Sequence, residues 1–291
     1  MVKKYVDLLL DTRKALLANE EMEIADMMAK HLISHISGKN IHTLLMDRDL
    51  YATDEVCRAV DQGLKRLLEG EPLAYVLGEW EFYGLNLVVT PDVLIPRDDT
   101  VAVASLAISQ GLFLDKDPRI LDLCCGSGCI GLAVANRVKD AKVTLADLSK
   151  EALNVAKQNV ALNHLTGRVR CLQVNALEPA PVFLGKFDMI ISNPPYITKQ
   201  EMKELPRSVA DFEPHMALYG GEDGLDFYRA IAENYTSALK PGGYLALEFG
   251  MGQGDDVCRI LSEHGYTILE RTRDYNDRER AVLAQYGRKE A

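Results

Sequence analysis

The 291-residue sequence has no apolar run near the ~20 residues that a membrane span requires; its longest candidate, Val101 to Ile108, reads as a buried helix face. Lys3 and Lys4 precede Leu8 to Leu10, but Asp7 and Asp11 flank those leucines and no small-residue cleavage site follows, which argues against a secretory signal. Cysteine is sparse: six residues (Cys57, Cys124, Cys125, Cys129, Cys171 and Cys258) cannot staple a chain this long, so a reducing cytoplasmic setting is expected. Positive charge is short as well. Thirty-three Lys plus Arg face 43 Asp plus Glu, a net charge of −10 and a pI of about 5.2, and no Lys/Arg-rich run occurs. A protein that grips nucleic-acid phosphates needs a basic stripe, so no direct nucleic-acid partner is expected. No glycine precedes Gly38 and no proline precedes Pro72. Against these absences, 47% hydrophobic and 26% charged residues is ordinary globular usage, and the length suggests about two domains at roughly 150 residues each.

The proline- and glycine-poor start carries apolar residues at helical spacing: Leu8, Leu9, Ala15 and Leu16, then Ile24, Met27, Met28 and Leu32. Thr53 followed by Asp54 and Glu55 marks a capped helix running to about Leu68 and stopping at Gly70-Glu71-Pro72. Residues 1–71 are therefore expected to form a bundle of three to five helices. Residues 72–97 read as a connector in which Glu81–Tyr83 and Leu85–Val89 form a hairpin around Gly84. Residues 98–291 alternate apolar strands with amphipathic helices. Strands are expected at Arg119–Cys124, Lys142–Ala146, Arg168–Val174, Phe187–Ser192, Gly243–Phe249, Tyr266–Arg271 and Ala281–Tyr286, and a helix at Asp226–Leu239. This is the pattern of an α/β domain with a mostly parallel sheet covered on both faces and an antiparallel pair last. A docked two-domain monomer needs no partner copy.

After the apolar strand Ile120 to Leu123 comes Cys124-Cys125-Gly126-Ser127-Gly128-Cys129-Ile130-Gly131, opening a helix. Glycines let a backbone approach a ligand, and a helix start points free N–H groups at it. About twenty residues on, the next strand ends in Asp147, where a carboxylate can accept both hydroxyls of a ribose. Gly126, Gly128 and Gly131 fit the G-x-G-x-x-G spacing, which alone suits a nicotinamide dinucleotide and S-adenosylmethionine equally. Asp122 tilts the reading: a carboxylate inside an apolar strand is costly unless used, and it suits the ammonium group that only the second ligand carries. The three clustered cysteines contain no C-x2-C pair and no nearby histidine, so no metal is expected. Glycines at ±1 of Ser127, where a nucleophile elbow needs them at ±2, argue against a hydrolase. His31 and His35, four apart on a predicted helix, lack a third ligand and read as surface residues.

The strand Asp188 to Ser192 ends in Asn193-Pro194-Pro195-Tyr196. Two prolines fix a non-helical turn and withhold two N–H groups, which leaves acceptors: the Asn193 side-chain oxygen and the Pro194 carbonyl. The Tyr196 ring can lie against a planar group. A planar NH2 is a poor nucleophile because its lone pair is delocalised. Two acceptors on its hydrogens would hold it, stabilise the positive charge that grows on nitrogen and aim the lone pair at an electrophilic methyl.

The glycine loop, Asp147 and N-P-P-Y together resemble class I S-adenosylmethionine-dependent methyltransferases acting on planar nitrogen. Pro72 to Gly78, Phe82-Tyr83-Gly84, Val93 to Arg97, Phe212-Glu213-Pro214, Gly220 to Tyr228 and Leu239 to Gly243 further resemble the release factor glutamine methyltransferase family. The resemblance implies a Rossmann-like sheet and methylation of the glutamine side-chain nitrogen in the G-G-Q loop of peptide-chain release factors. S-adenosylmethionine would be the donor, S-adenosylhomocysteine the product, and no metal would take part. It also implies roles. Asn193 and Pro194 would hold the glutamine amide, with Pro195 and Tyr196 walling it and Arg97 also on the substrate side. Asp122, Cys124, Cys125, Gly126, Ser127 and Gly128 would wrap the cofactor's methionine part, Asp147 and Leu148 its ribose, Asn175 and Ala176 its adenine, with Asn193 nearby. The N-terminal bundle would dock the release factor. The chain departs from the family pattern at Cys124-Cys125, where Gly-Thr or similar is usual, and at Asp98, where a proline usually follows I-P-R.

Three alternatives account for fewer of these features. A nucleic-acid amino-methyltransferase would use N-P-P-Y on an exocyclic NH2, but needs base flipping and a basic channel. A nicotinamide-dependent oxidoreductase leaves Asp122 and N-P-P-Y without a role. A non-catalytic cofactor-binding scaffold predicts a degraded acceptor motif, whereas Asn193 is intact.

Overall fold

The computed structural model describes residues 3–287, which divide into two compact units. The first runs to Gly78 and also includes Arg207–Phe212. It holds α1 (Tyr5–Leu16), α2 (Met22–Ser37), α3 (Ile41–Met46), α4 (Asp54–Leu68) and the single turn α5 (Leu73–Leu77). Thr53 caps α4 as its sequence foretells, its hydroxyl accepting the Val56 N–H at 3.2 Å, and Asp54 and Glu55 follow in the first turn. Gly63 lets α2 and α4 close up, for a Cβ there would meet Leu32 at 2.7 Å. Leu8, Leu16, Leu32, Ile33 and Val60 make the buried interior.

The second unit opens with a hairpin of β1 (Glu79–Phe82) and β2 (Leu85–Val88), turned by Tyr83 and Gly84. Both turn residues have positive φ, 53° and 77°, as a two-residue turn matched to strand twist requires. There follow α6 (Val101–Gly111), β3 (Arg119–Leu123), α7 (Cys129–Arg137), β4 (Lys142–Asp147), α8 (Lys150–Leu162), β5 (Val169–Gln173) and β6 (Phe187–Ser192). After the short helix α9 (Arg207–Ala210), which belongs to the first unit, the second continues with α10 (Asp226–Asn234), β7 (Leu239–Glu248), α11 (Gly254–Glu263), β8 (Tyr266–Arg273) and β9 (Glu279–Tyr286). The sheet order is β5-β4-β3-β6-β7-β9-β8, parallel from β5 to β7, with β9 antiparallel to both its neighbours. β4 lies on one side of β3 and β6 on the other, so the chain reverses direction across the sheet at β3. Loops leaving the carboxyl ends of β3, β4 and β6 therefore converge on one crevice, where open α/β sheets place ligands.

One expected helix is shorter. Asp226–Leu239 ends at Asn234, a 3-10 turn spans Thr236–Ala238, and Leu239 already belongs to β7, paired with Phe187. Pro241 cannot continue a helix, and the 2% exposed Leu239 gains more from the sheet interior. Among the described residues no helix is long and apolar enough to cross a membrane.

Candidate active site

An open cleft of about 710 Å³, counting the solvent at its mouth, lies where those loops meet. Of the sequence-predicted residues, Cys124, Gly126, Asp147, Leu148, Asn175, Ala176, Asn193 and Pro195 line it. The glycine loop is built on left-handed backbone. Gly126 has φ 51° and faces open space, while Gly128 has φ 83° and a Cβ there would meet Leu145 at 2.8 Å. Asp147 braces the loop, its two oxygens accepting the Gly126 N–H at 2.8 Å and the Ser149 N–H at 2.9 Å. Burial raises its pKa, against the pull of those amides. Asn175 caps the turn after β5, accepting the Leu177 N–H at 3.0 Å, and its carbonyl takes the Tyr235 hydroxyl at 3.1 Å.

Other predicted residues stand behind the cleft. Asp122 is fully buried within β3 and accepts the Gly131 N–H at 2.7 Å, which ties the strand to the first turn of α7. Its other oxygen has no partner among the described residues, and burial pushes its pKa up to about 7. Cys125 is buried, Ser127 likewise, and Gly128 begins α7. Burial also holds the thiols protonated: Cys124 and Cys125 are raised well above the ordinary range and Cys129 is pushed up to about 12. Among the described residues no cluster of side chains could hold a metal ion. Arg97 is ion-paired with Glu213, which also accepts the Ile95 N–H at 3.2 Å.

The N-P-P-Y turn leaves β6 with Asn193 half-buried, Pro194 and Pro195 buried and Tyr196 half-buried. A cage of glycines backs it. A Cβ on Gly220 would lie 2.6 Å from the Pro195 carbonyl oxygen and from Tyr196 Cα, and one on Gly250 would lie 3.0 Å from the Tyr196 ring. Gln253 closes the cage: its Nε2 donates to the Tyr196 carbonyl at 3.0 Å and its Oε1 accepts the Gly250 N–H at 2.9 Å. Asn193 Nδ2 donates to Thr100 Oγ1 at 3.3 Å. Beside both lies Glu248, the last residue of β7, 1% exposed, with one carboxylate oxygen that has no hydrogen-bond partner among the described residues. Burial pushes its carboxyl up to about 7, moderated by the neighbouring Thr100 and Asn193 side chains and by Arg280. Arg280 is itself held by Asp99 at 2.9 Å and Asp274 at 3.0 Å.

Reasoning on the sequence alone passed over Thr100, Glu248 and Gln253, and over the cleft walls Asp92 to Leu94, Met216 and Phe227. Glu248 carried a usable signal, because it is a carboxylate closing the apolar run Leu245-Ala246-Leu247, the argument that singled out Asp122. Thr100 and Gln253 had no such signal.

Comparison with known proteins agrees with this geometry. Residues 8–78 match the family model "PrmC N-terminal domain" and residues 98–209 the model "Methyltransferase small domain". A release factor glutamine methyltransferase of Clostridium acetobutylicum is 36% identical over 92% of this chain and 93% of its own length. Its counterpart in Fusobacterium nucleatum is 40% identical over 88% and 72%. A bifunctional methyltransferase of Rickettsia typhi is 33% identical over 90% of this chain, which spans only 53% of that larger protein. In fold alone, a methyltransferase from Pyrococcus furiosus aligns with a TM-score of 0.52 at 19% identity, over 78% of this chain and 100% of its own. With relatives matching along nearly its whole length and an acceptor-rich turn beside a glycine-loop cleft, the chain belongs to the release factor glutamine methyltransferase family.

Proposed function

We propose that the protein transfers a methyl group from S-adenosylmethionine to the side-chain amide nitrogen of the glutamine in the G-G-Q loop of peptide-chain release factors. One observation carries this reading: Asn193, which can accept from an amide, and Gly126 and Asp147, which suit a nucleoside cofactor, line a single cleft.

The cleft suits that cofactor. The open space over Gly126 leaves room for a ligand against the loop backbone. The Asp147 carboxylate, braced by two amides, keeps lone pairs for a ribose. Val174, Ala176, Leu177 and Phe227 offer apolar walls for adenine beside Asn175. Cys124 and Leu148 would complete the cofactor contacts, while Asp122, Cys125, Ser127 and Gly128 would shape the loop from behind. When bound, S-adenosylmethionine supplies an electrophilic methyl on sulfur.

The chain's own residues do the rest. Asn193 Oδ1 and the Pro194 carbonyl accept the two amide hydrogens of the glutamine, which fixes its nitrogen and favours the positive charge that develops there. Pro195 and Tyr196 wall the amide plane and exclude water. No strong base is required, because the alkylated nitrogen is acidic and loses its proton readily. The N-terminal unit would dock the release factor; Met22, Met46, Leu50 and Tyr51 are exposed there and suit a protein surface.

The test is methyl transfer from labelled S-adenosylmethionine to a release factor and to its G-G-Q Gln→Ala variant. The expected result is label on the first alone; equal labelling of both, or label on nucleic acid instead, would overturn the reading.

A further inference from the structure

We propose that Thr100 and Glu248 clamp the side chain of Asn193 so that its carbonyl oxygen, and not its NH2, faces the cleft. They would thus be positioning residues for the amide substrate. This rests on the reading above, in which Asn193 accepts a hydrogen from the glutamine amide.

An asparagine amide is nearly symmetric in shape but opposite in chemistry at its two ends. Turned one way, Asn193 accepts from the substrate; turned the other, it presents donors to donors and repels it. Nothing in N-P-P-Y itself selects between the two. The surroundings do. Asn193 Nδ2 donates to Thr100 Oγ1 at 3.3 Å, and the Glu248 carboxylate, one of whose oxygens has no hydrogen-bond partner among the described residues, lies beside both side chains. Above about pH 7, where Glu248 is ionised, its carboxylate has no hydrogen to give and can face only the NH2 end. The Thr100 hydroxyl has a single hydrogen, and the same carboxylate lies beside it. With that hydrogen directed at Glu248, the Thr100 oxygen is left as an acceptor for Asn193. Each of the three contacts then runs from donor to acceptor in one orientation of the amide. In the other, the Asn193 oxygen would sit against a carboxylate with no hydrogen between them, in a site where Thr100 is 2% and Glu248 1% exposed and water cannot repair the loss.

The anchoring extends outward. Arg280 favours the ionised form of Glu248 and is fastened by Asp99 and Asp274, so the donor-free partner is itself held in place. The clamp draws on three separate segments: the turn before α6, the end of β6 and the end of β7. Within the first of these segments Thr100 reaches Asn193 and Asp99 reaches Arg280.

The test uses the full chain with a release factor and labelled S-adenosylmethionine at about pH 8, where Glu248 is ionised. Thr100→Val keeps the shape and removes the hydroxyl. It is expected to lower kcat at least tenfold while the dissociation constant for S-adenosylhomocysteine, measured by titration calorimetry, moves less than threefold. Thr100→Ser, which restores the hydroxyl, is expected to recover to within threefold of the starting kcat. Because Thr100 acts through Asn193, adding Thr100→Val to Asn193→Ala should lower kcat no further. Glu248→Gln, which can show either end to Asn193, gives a second route should Thr100→Val fail to fold, with the same fall in kcat at constant cofactor affinity. A kcat within twofold of the parent for either folded variant, or losses that add fully to Asn193→Ala, would overturn the clamp. An unmodified protein that leaves the release factor unlabelled overturns the underlying reading instead.

Discussion

Cys124 has φ 60°, in the left-handed region where a side chain collides with its own backbone, and it stands where the family pattern has glycine. The thiol offsets part of that strain by packing beside Ser192, at the wall of the cleft. Cys124→Gly should therefore fold and keep its affinity for S-adenosylhomocysteine, changing stability by no more than about 1 kcal/mol. Cys124→Val, branched at Cβ in the same conformation, should cost about 2 kcal/mol and weaken cofactor binding. Urea melts and titration calorimetry on both variants check the pair; a Val variant as stable as the parent would mean that the backbone relaxes out of the left-handed region. Asp122 shows what sequence alone could not resolve at this scale. Its burial in an apolar strand marked it as a residue with a purpose, but which atom it holds depends on how the strand meets the next helix. The structure has it gripping Gly131, whose missing Cβ would otherwise press on Leu145 and Asp122 itself.

At the scale of elements, the β1–β2 hairpin is fastened to α8 through one residue. Asn159 on α8 accepts the Val88 N–H at 2.6 Å and donates to the Val88 carbonyl and the Ser127 carbonyl, both at 3.0 Å. The fully buried side chain thus extends the edge of β2 as a strand would, and reaches the glycine loop with the same amide. Asn159→Leu fills the volume but abandons one buried N–H and two carbonyls. The expected loss is about 3 kcal/mol in a denaturant melt, with at least a fivefold weaker affinity for S-adenosylhomocysteine because the Ser127 carbonyl is no longer held. An unchanged affinity would show that the loop is rigid without α8. Elements of this kind separate what was legible from what was not. Strand β6 matches its expected bounds, and β4 lies within a residue of its own, because apolar periodicity and the turn residues around them agree. The Asn159 bridge was invisible, since an asparagine on a helix reads as a solvent-facing residue until the hairpin 71 positions earlier is laid against it. The Glu201–Lys203 and His215–Ala217 turns were invisible for a related reason: their backbone bonds are local and irregular and have no period to read.

For the whole molecule, the net charge of −10 conceals two classes of acid. Asp26, Asp223 and Asp274 are held below the ordinary carboxylate range, Asp26 and Asp223 chiefly by the basic side chains bonded to them and Asp274, against its burial, by backbone amides and Arg280. Their stabilisation is present above about pH 4 and is lost on acidification through their lowered values. Asp122 and Glu248 lie on the other side, each pushed by burial up to about 7, and Asp147 is raised for the same reason. For a raised acid the folded protein holds a proton that the unfolded chain has already released, so stability falls as pH rises from about 4 to about 7 and the loss is complete above that. Asp122 is the cleaner probe, because Asp122→Asn keeps an oxygen for the Gly131 N–H and removes only the ionisation. Urea melts of parent and variant at pH 5, 6, 7 and 8 should show the parent losing stability more steeply, with a difference of at most about 3 kcal/mol across the range. General repulsion among surface acids acts on both proteins alike and drops out of the comparison. Parallel stability profiles would mean that Asp122 stays ionised in the folded state at pH 5, and its unpartnered oxygen would then have to be met by water in β3. A profile that flattens on the substitution would establish that the cofactor loop is anchored by a carboxyl group that gains its charge near neutral pH, so that the fold is most secure on the acid side of neutrality.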